Sequence, residues 1–290
     1  MGITGKLKII KTIGKLMSAL RLACLVFSLL TLSTSSVRAD VAEEFEKLKF
    51  NTGPSTTEIA SRATLKFDEN YFSLDVSDTN RYLELIGNLP STAERYLVST
   101  SNLTWFAVFD YTNAGYVKDD EEIDADELLS ALKKNNAAGN EKRRELGIPI
   151  MNLVGWSTPP FYNPDTKRLE WGIRLVAEDS TETINYSTRL LGRTGYISAN
   201  LVADVEGFQQ QRSEFNKLLR NFEFNSGERY SEFKEGDKVA EYGLAALVVG
   251  GAAAAAMKSK GFIKLLGLGA LALLATVGAA FKRLVARKNG

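Results

Sequence analysis

The chain has 290 residues, enough for one or two domains, and its hydrophobic fraction of 44% and charged fraction of 24% are typical of folded proteins. It contains no histidine and one cysteine, Cys24. These counts exclude histidine-based acid/base catalysis, Ser-His-Asp and Cys-His triads, and zinc sites built from histidine and cysteine ligands. We therefore assign no catalytic residue, no metal site and no cofactor.

Charge is divided unevenly along the chain. All 35 acidic residues lie between Asp40 and Glu241, whereas 13 of the 36 basic residues lie outside that range. The middle of the chain therefore carries 23 basic and 35 acidic residues, a net charge of −12. This division is typical of an acidic domain between membrane-related ends. A domain of this charge is not expected to bind nucleic acid.

Residues 1–39 have the organisation of a secretory signal peptide. A basic segment ends at Arg21, an apolar run covers residues 22–32, and small or short residues lead to Ala39, after which cleavage is predicted. The alternative is an uncut anchor, but such a short helix spans only ~17 Å of a hydrocarbon core about 30 Å thick. Cys24 does not match a lipidation site, because Arg21 lies three residues before it.

Two apolar segments near the other end predict transmembrane helices over residues 242–257 and 262–281. The chain contains no acid after Glu241, and basic residues flank both segments, so residues 239–290 are interpreted as a membrane anchor with a basic tail. The alternative for the two segments is a helical hairpin buried in the domain. The number of spans stays open, because basic residues follow each segment.

These ends together predict a protein of the bacterial inner (cytoplasmic) membrane, with the lipid bilayer as one partner and the acidic domain in the periplasm.

Between the ends, the apolar patterns predict an α+β domain over residues 63–238, mainly an antiparallel sheet with packed helices. Residues 40–62 are predicted to form a helix over Val41–Phe50 and then a linker. Hairpins are predicted from Ala63–Phe67 with Tyr71–Val76, and from Ile184–Leu191 with Tyr196–Val202. Further strands are predicted at Leu103–Tyr111, Ile150–Trp156, 169–175 and Phe222–Phe224, and helices from Asp78, from Asp124 to Leu146 and over Asp204–Arg220.

The densest acidic run, residues 119–127, could suggest a calcium site. The EF-hand pattern fails, because Ala125 and Ala131 stand where that loop requires glycine and glutamate. The run is better explained as the start of a helix, with Asp124 as the N-cap and acids at the positive end of the helix dipole.

Four motifs resemble those of a bacterial family of uncharacterised membrane-anchored proteins. They are GWSTPPFYNPDTKRLEW at Gly155–Trp171, NYSTRLLGRTG at Asn185–Gly195, WFAVFDYTNAGYVKDD at Trp105–Asp120 and YGLAALVVGG at Tyr242–Gly251, within a similarity that runs from about Ala63 to Phe281. The resemblance implies a signal peptide, a periplasmic domain, a C-terminal membrane anchor and no assigned activity. The element order is also similar to the PsbP-like α/β/α sandwich, a likeness of fold that implies no function.

Three functions are compatible with these observations. The first is a non-enzymatic envelope module that binds another envelope or membrane protein, with Trp156, Phe161, Tyr162 and Trp171 as candidate contacts. Core packing is the alternative role of Trp171, because its strand alternates between apolar and polar residues.

The second function is a carboxylate-dependent hydrolase of envelope polymers, for which Asp110, Asp165, Glu170 and Asp179 are available. The third is an anion-binding sensor that uses Arg189 and Arg193, next to the glycines of the second predicted hairpin. We prefer the simpler interpretation, an ordinary hairpin in which both arginines pair with the surplus acids of the domain.

Overall fold

The computed structural model describes residues 43–250, apart from residues 89, 146 and 148. The predicted signal peptide and the predicted membrane helix 262–281 lie outside this range. The strands are β1 (Asn51–Thr52), β2 (Ser55–Ile59), β3 (Ala63–Phe67), β4 (Tyr71–Leu74), β5 (Arg95–Thr100), β6 (Phe106–Thr112), β7 (Met151–Asn163), β8 (Arg168–Ala177), β9 (Glu182–Leu191), β10 (Tyr196–Asp204) and β11 (Phe222–Phe224). The helices are α1 (Val76–Leu85), α2 (Ala125–Glu145), α3 (Phe208–Leu218) and α4 (Leu244–Val249).

An eight-stranded antiparallel sheet organises the domain, in the order β1-β4-β5-β6-β10-β9-β8-β7. A second sheet has the order β11-β3-β2. The prediction of an α+β fold dominated by antiparallel pairing is therefore confirmed. The predicted hairpin of β9 and β10 is present, with Ile197 opposite Leu190.

The two faces of the large sheet are covered differently. The back face, which carries Ala107 and Phe109 of β6, packs against the three-stranded sheet and α3. The front face, which carries Val108 and Asp110 of β6, packs against α1 near β4 and β5. Near β8 it packs against α2 and α4. Two separate apolar clusters thus occupy the front face, and the middle of the sheet lies between them.

Two predictions for the first part of the domain are wrong. Residues 51–59, predicted as part of a linker, contain β1 and β2, which join different sheets on either side of a cis Gly53-Pro54 bond. β3 and β4, predicted as a hairpin, also lie in different sheets, because β3 pairs with β2 and β11 whereas β4 pairs with β1 and β5. Alternation indicates which side of a strand is buried but does not identify the neighbouring strand.

The predicted helix starts are partly correct. α2 begins as predicted, since Oδ1 of Asp124 accepts a hydrogen bond from the backbone N–H of Glu127 at 3.0 Å. α1 begins earlier than predicted, because its cap is Asp75, whose carboxylate accepts from the N–H of Asp78 at 2.9 Å. The predicted first helix is shorter than expected, with only residues 43–47 helical among those described.

The predicted membrane helix 242–257 is described only as far as residue 250, and this part differs from the prediction. α4 has six residues and ends at Gly250, whose φ of 99° is left-handed. Leu244, Leu247 and Val248 are buried in the same cluster as α2 and β8. Within the described part of the chain, no helix combines the length and hydropathy that crossing a bilayer requires. Residues 244–249 therefore belong to the core of the domain.

Candidate functional site

A row of polar residues crosses the front face between its two apolar clusters. Arg95 of β5 lies opposite Asp110 of β6, Asp110 lies opposite Ser198 of β10, and Ser198 lies opposite Arg189 of β9. Directly opposite residues of antiparallel strands project from the same face, so all four side chains share the front face. We call these four residues the polar row.

Asp110 lies between the two positive charges of the polar row. The hydroxyl of Ser198 donates a hydrogen bond to its carboxylate, and both Arg189 and Arg95 attract it. Burial nevertheless raises the pKa of Asp110 above its ordinary value of 3.8, against the opposing effects of these three neighbours. The protein therefore stabilises this negative charge incompletely.

Arg95 is the most buried charged residue of the row, with 2% of its surface exposed. Its Nε donates to Oδ1 of Asn80 on α1 at 2.8 Å. Its Nη2 is buried and has no hydrogen-bond partner among the described residues. Burial lowers the pKa of the guanidinium, against the attraction of Asp110 and Glu84. A buried donor without a partner is costly, which makes this nitrogen a candidate ligand contact.

Arg189 is held in place by aromatic rings. Its guanidinium lies 4.7 Å from the ring centre of Trp171 and 5.9 Å from that of Tyr196. Nη1 donates to Oδ1 of Asn200 at 3.1 Å, and the same oxygen accepts from the hydroxyl of Ser187 at 2.9 Å. Nε of Arg189 is buried and has no hydrogen-bond partner in the described structure. Burial lowers the pKa of this guanidinium as well.

The polar row presents groups that can bind an anion. It presents two guanidinium groups, one carboxylate and one hydroxyl, a net charge of +1 when all groups are ionised. Guanidinium groups bind carboxylates and phosphates through paired N–H donors, and they do not release protons in the ordinary pH range. The arrangement is therefore suited to holding an anionic group.

The candidate aromatic contacts do not form one surface. Trp156 and Tyr162 pack on the front-face cluster near β8. The indole of Trp156 donates to the carbonyl of Ala125 at 3.1 Å, and the hydroxyl of Tyr162 donates to Asp119 at 2.6 Å. Phe161 is 39% exposed and lies opposite Glu170 of β8, on the back-face side of the sheet.

Trp171 is 3% exposed and packs in the same cluster near β8, which confirms the alternative of core packing for this residue.

Arg193 has a structural role instead of joining Arg189. Its Nε and Nη2 donate to the two carboxylate oxygens of Asp237, each at 2.6 Å. The arginine lowers the pKa of Asp237 from 3.8 to about 2, and Asp237 raises the pKa of Arg193. This pair fixes the segment before α4 to the turn between β9 and β10. The interpretation that both hairpin arginines pair with surplus acids therefore holds for Arg193, whereas the ion pairs of the described residues do not include Arg189.

The four acids considered for hydrolysis do not converge. Asp110 is on the front face, whereas Glu170 is on the back face and accepts a hydrogen bond from the hydroxyl of Tyr186. Asp165 precedes β8 and Asp179 follows it, and this ten-residue strand is about 33 Å long. Glycoside chemistry needs two carboxyl groups about 5–10 Å apart across one cleft.

The acidic run 119–127 is used inside the domain. Asp119 accepts from Tyr162 and from Lys167 at 2.9 Å, and Glu121 accepts from the backbone N–H of Ala245 at 2.9 Å. In the described residues, no group of three or more aspartate, glutamate, cysteine or histidine side chains could hold a metal ion.

Sequence reasoning identified Arg189 and Asp110 but missed Arg95 and Ser198. A usable signal was present, because Arg95 and Asp110 are single charges at opposite ends of strands that otherwise read as buried. What the sequence lacked was the register that puts β5 beside β6 and β6 beside β10.

Comparisons with known proteins identify the family. One similar solved structure is the solution structure of cyanobacterial PsbP (CyanoP) from Synechocystis sp. PCC 6803, at 10% identity and a TM-score of 0.36, with 61% of this chain and 92% of that chain covered. No curated protein matches. The model of a family described as "Protein of unknown function (DUF2167)" matches residues 51–281. The chain therefore belongs to the DUF2167 family of proteins of unknown function.

Proposed function

We propose that this protein is a membrane-anchored module of the bacterial cell envelope that binds a ligand or a partner protein through the polar row and performs no catalysis of its own. The observation that carries the proposal is the pair of arginines in the row, each with a buried nitrogen that has no hydrogen-bond partner in the described residues. Natural proteins pair nearly all buried donors, so unpaired donors in a shared row favour a bound group.

The envelope location is supported by the sequence. The acid-free ends, the signal-like residues 1–39 and the apolar residues 262–281 fit an exported domain attached to the inner membrane. The structure adds that α4 belongs to the core of the domain. An anchor over residues 262–281 would thus follow α4, which packs on the front face beside the polar row, after residues 250–261.

Site-specific photo-crosslinking in intact cells tests the binding role. A photoreactive benzoylphenylalanine at Thr112, which lies on the front face opposite Tyr196, is compared with one at Arg174, which is exposed on the back face. We expect a discrete adduct from position 112 that weakens strongly in an Arg189→Gln background. Equal adducts from both positions, or no effect of Arg189→Gln, would contradict the proposal.

Fractionation tests the location separately. We expect the protein to stay with membranes after alkaline carbonate extraction, and the domain to be digested by protease added to cells with a permeabilised outer membrane. Recovery of the intact chain in the cytosol, with residues 1–39 retained, would contradict the envelope assignment.

A further inference from the structure

We infer that the polar row binds a monoanionic organic group, a carboxylate, between the guanidinium groups of Arg95 and Arg189 and above Ser198. This inference names the ligand class of the proposed binding site and rests on the proposed function. It goes beyond the function because it excludes doubly charged anions as the preferred ligand.

The strand register places the two arginines at the two ends of the row. Opposite residues of antiparallel strands have Cα atoms about 5 Å apart, so Arg95 and Arg189 are about 15 Å apart at their Cα atoms, with Asp110 and Ser198 between them. Both side chains are attracted towards Asp110. An arginine side chain can extend over about half of this span, so a small anionic group bound near Ser198 would lie within reach of both guanidinium groups.

The free donors are already ordered. Asn80 accepts a hydrogen bond from Nε of Arg95 at 2.8 Å, and Nη2 has no partner among residues 43–250 as described. Trp171 and Asn200 hold the Arg189 guanidinium by ring contact and hydrogen bond, and its Nε has no partner in the described part of the chain. Donors that are fixed before binding lose little conformational entropy when a ligand arrives.

The charges of the row favour one negative charge on the ligand. The formal charges of the two guanidinium groups and the carboxylate of Asp110 sum to +1. Glu84, the other acid near Arg95, pairs with Arg81 at 3.4 Å. A monoanion neutralises this sum. A dianion would leave an excess negative charge next to Asp110 in a region of low dielectric, where like charges repel strongly.

The surroundings favour an organic ligand over an inorganic ion. The polar row is flanked on one side by the cluster that contains Leu97 and Val108, and on the other by the cluster that contains Trp171 and Tyr196. Ligand sites combine apolar walls with a few placed polar groups, which suits a carboxylate attached to an apolar body.

The test uses the full-length protein in detergent micelles with ¹⁵N-labelled arginine. The Nε–H signals of Arg189 and Arg95, assigned with Arg189→Lys and Arg95→Lys, are followed while sodium acetate, sodium butyrate or sodium sulfate is added at constant ionic strength. We expect saturable shifts with both carboxylates, tighter binding of butyrate than of acetate, and weaker binding of sulfate.

Variants separate the site from general charge effects. Arg189→Gln should lower butyrate affinity at least tenfold, whereas Arg174→Gln, which removes a charge from the exposed back face, should leave it unchanged. Asp110→Asn raises the charge of the row to +2 and should increase sulfate affinity tenfold or more, about 1.4 kcal/mol. Arg189→Lys retains the charge and should keep part of the affinity, which distinguishes loss of the site from loss of folding.

The outcomes are distinct from those of the proposed function. No saturable shift with either carboxylate, or tighter binding of sulfate than of butyrate by the unaltered protein, would overturn the assignment of ligand class. In both cases the crosslink from position 112 and its dependence on Arg189 would still report whether the row binds a partner.

Discussion

The two faces of the large sheet are made by the same strands but differ in chemistry. On the back face, β6 and β10 contribute Phe109, Ile197 and Leu201, which are fully buried among apolar neighbours. On the front face, the alternate positions of these strands carry Asp110 and Ser198. Because successive residues of a strand point to opposite faces, one strand can form a core on one side and a polar site on the other.

This difference indicates which face tolerates change. Where the three-stranded sheet and α3 cover it, the back face is mainly apolar, so removing a side chain there lowers the free energy of unfolding. The front face is divided, and burying charged residues in its middle costs free energy that only binding or exact pairing offsets. The charges in the middle of the front face are therefore expected to add less to folding stability than the apolar contacts of the back face do.

The largest expected effect is on the back face. Phe215 of α3 is fully buried and makes an edge contact with Trp105 at a ring-centre distance of 6.0 Å. Phe215→Ala should lower the free energy of unfolding by about 3–5 kcal/mol, because it removes buried apolar surface and leaves a cavity. Urea unfolding measures the loss. The control is Phe161→Ala at an exposed position, expected within about 0.5 kcal/mol of the unaltered protein. Equal losses would contradict the assignment of the core.

A smaller effect is expected where α2 covers the edge of the sheet. Oδ1 of Asn140 accepts from the N–H of Met151 at 3.2 Å, and its Nδ2 donates to the carbonyl of Met151 at 3.0 Å. The side-chain amide thus takes the place of a neighbouring strand next to β7. Asn140→Ala should cost about 1–3 kcal/mol, because the backbone N–H of Met151 loses its partner, whereas its carbonyl keeps the hydrogen bond from Nδ2 of Asn136 at 2.8 Å.

Chemical denaturation checks this value, with Lys133→Ala on the exposed side of α2 as the control. A cost no larger than that of the control would mean that water replaces the asparagine at the edge, and that α2 is not fixed by these bonds.

The sequence predicted structures formed by residues close in the chain better than it predicted which strands pair. The β9–β10 hairpin and the Asp124 cap depend on residues close in the chain, and both are present. The separation of β3 from β4 and the position of β5 depend on distant pairing, and both were missed. The polar row shows the same contrast. Arg189 was identified because it lies beside a recognisable glycine turn, whereas Arg95 becomes relevant only through its register with Asp110.

The terminal apolar segment illustrates the same limit. Composition alone gives residues 242–250 the character of a membrane helix, but their placement depends on a surface made by β8 and α2, which are distant in the chain. Residues 244–249 pack on that surface. Hydropathy reports that a segment avoids water, and it cannot report whether protein or lipid covers it.

The ion pair that holds the segment before α4 should make part of the stability depend on pH. Arg193 lowers the pKa of Asp237 from 3.8 to about 2 in the folded protein. The stabilisation is therefore fully present above pH 3.8 and is lost as the pH falls from 3.8 towards 2. We expect Asp237→Asn to be less stable than the unaltered protein at pH 6, and the difference to shrink through this range.

Denaturation at a series of pH values measures this difference, and Glu235→Gln in the same segment is the control. A difference that does not change between pH 6 and pH 3 would show that Asp237 stabilises the segment through its shape and not through its charge.

The smallest expected effect concerns Asp110 and has the opposite sign. Burial raises the pKa of Asp110 above 3.8, so the folded state holds its proton more tightly than the unfolded state does. Its contribution to stability is therefore full at low pH and falls as the pH rises from 3.8 through the raised pKa. Asp110→Asn removes this dependence, so the variant should gain stability relative to the unaltered protein as the pH rises from 4 to 7. The gain should be small, because Arg189, Ser198 and Arg95 oppose the effect of burial.

Chemical denaturation of both proteins across this range measures the gain, and Asp165→Asn in the exposed β7–β8 turn is the control. Addition of butyrate sharpens the test, since a carboxylate bound between the arginines would compete with Asp110 for the same charges. In its presence the pKa of Asp110 should rise further, and the gain of Asp110→Asn over the unaltered protein should become larger. An unchanged gain would mean that Asp110 and the bound anion do not share the arginines, and that the front face is divided for a reason other than recognition.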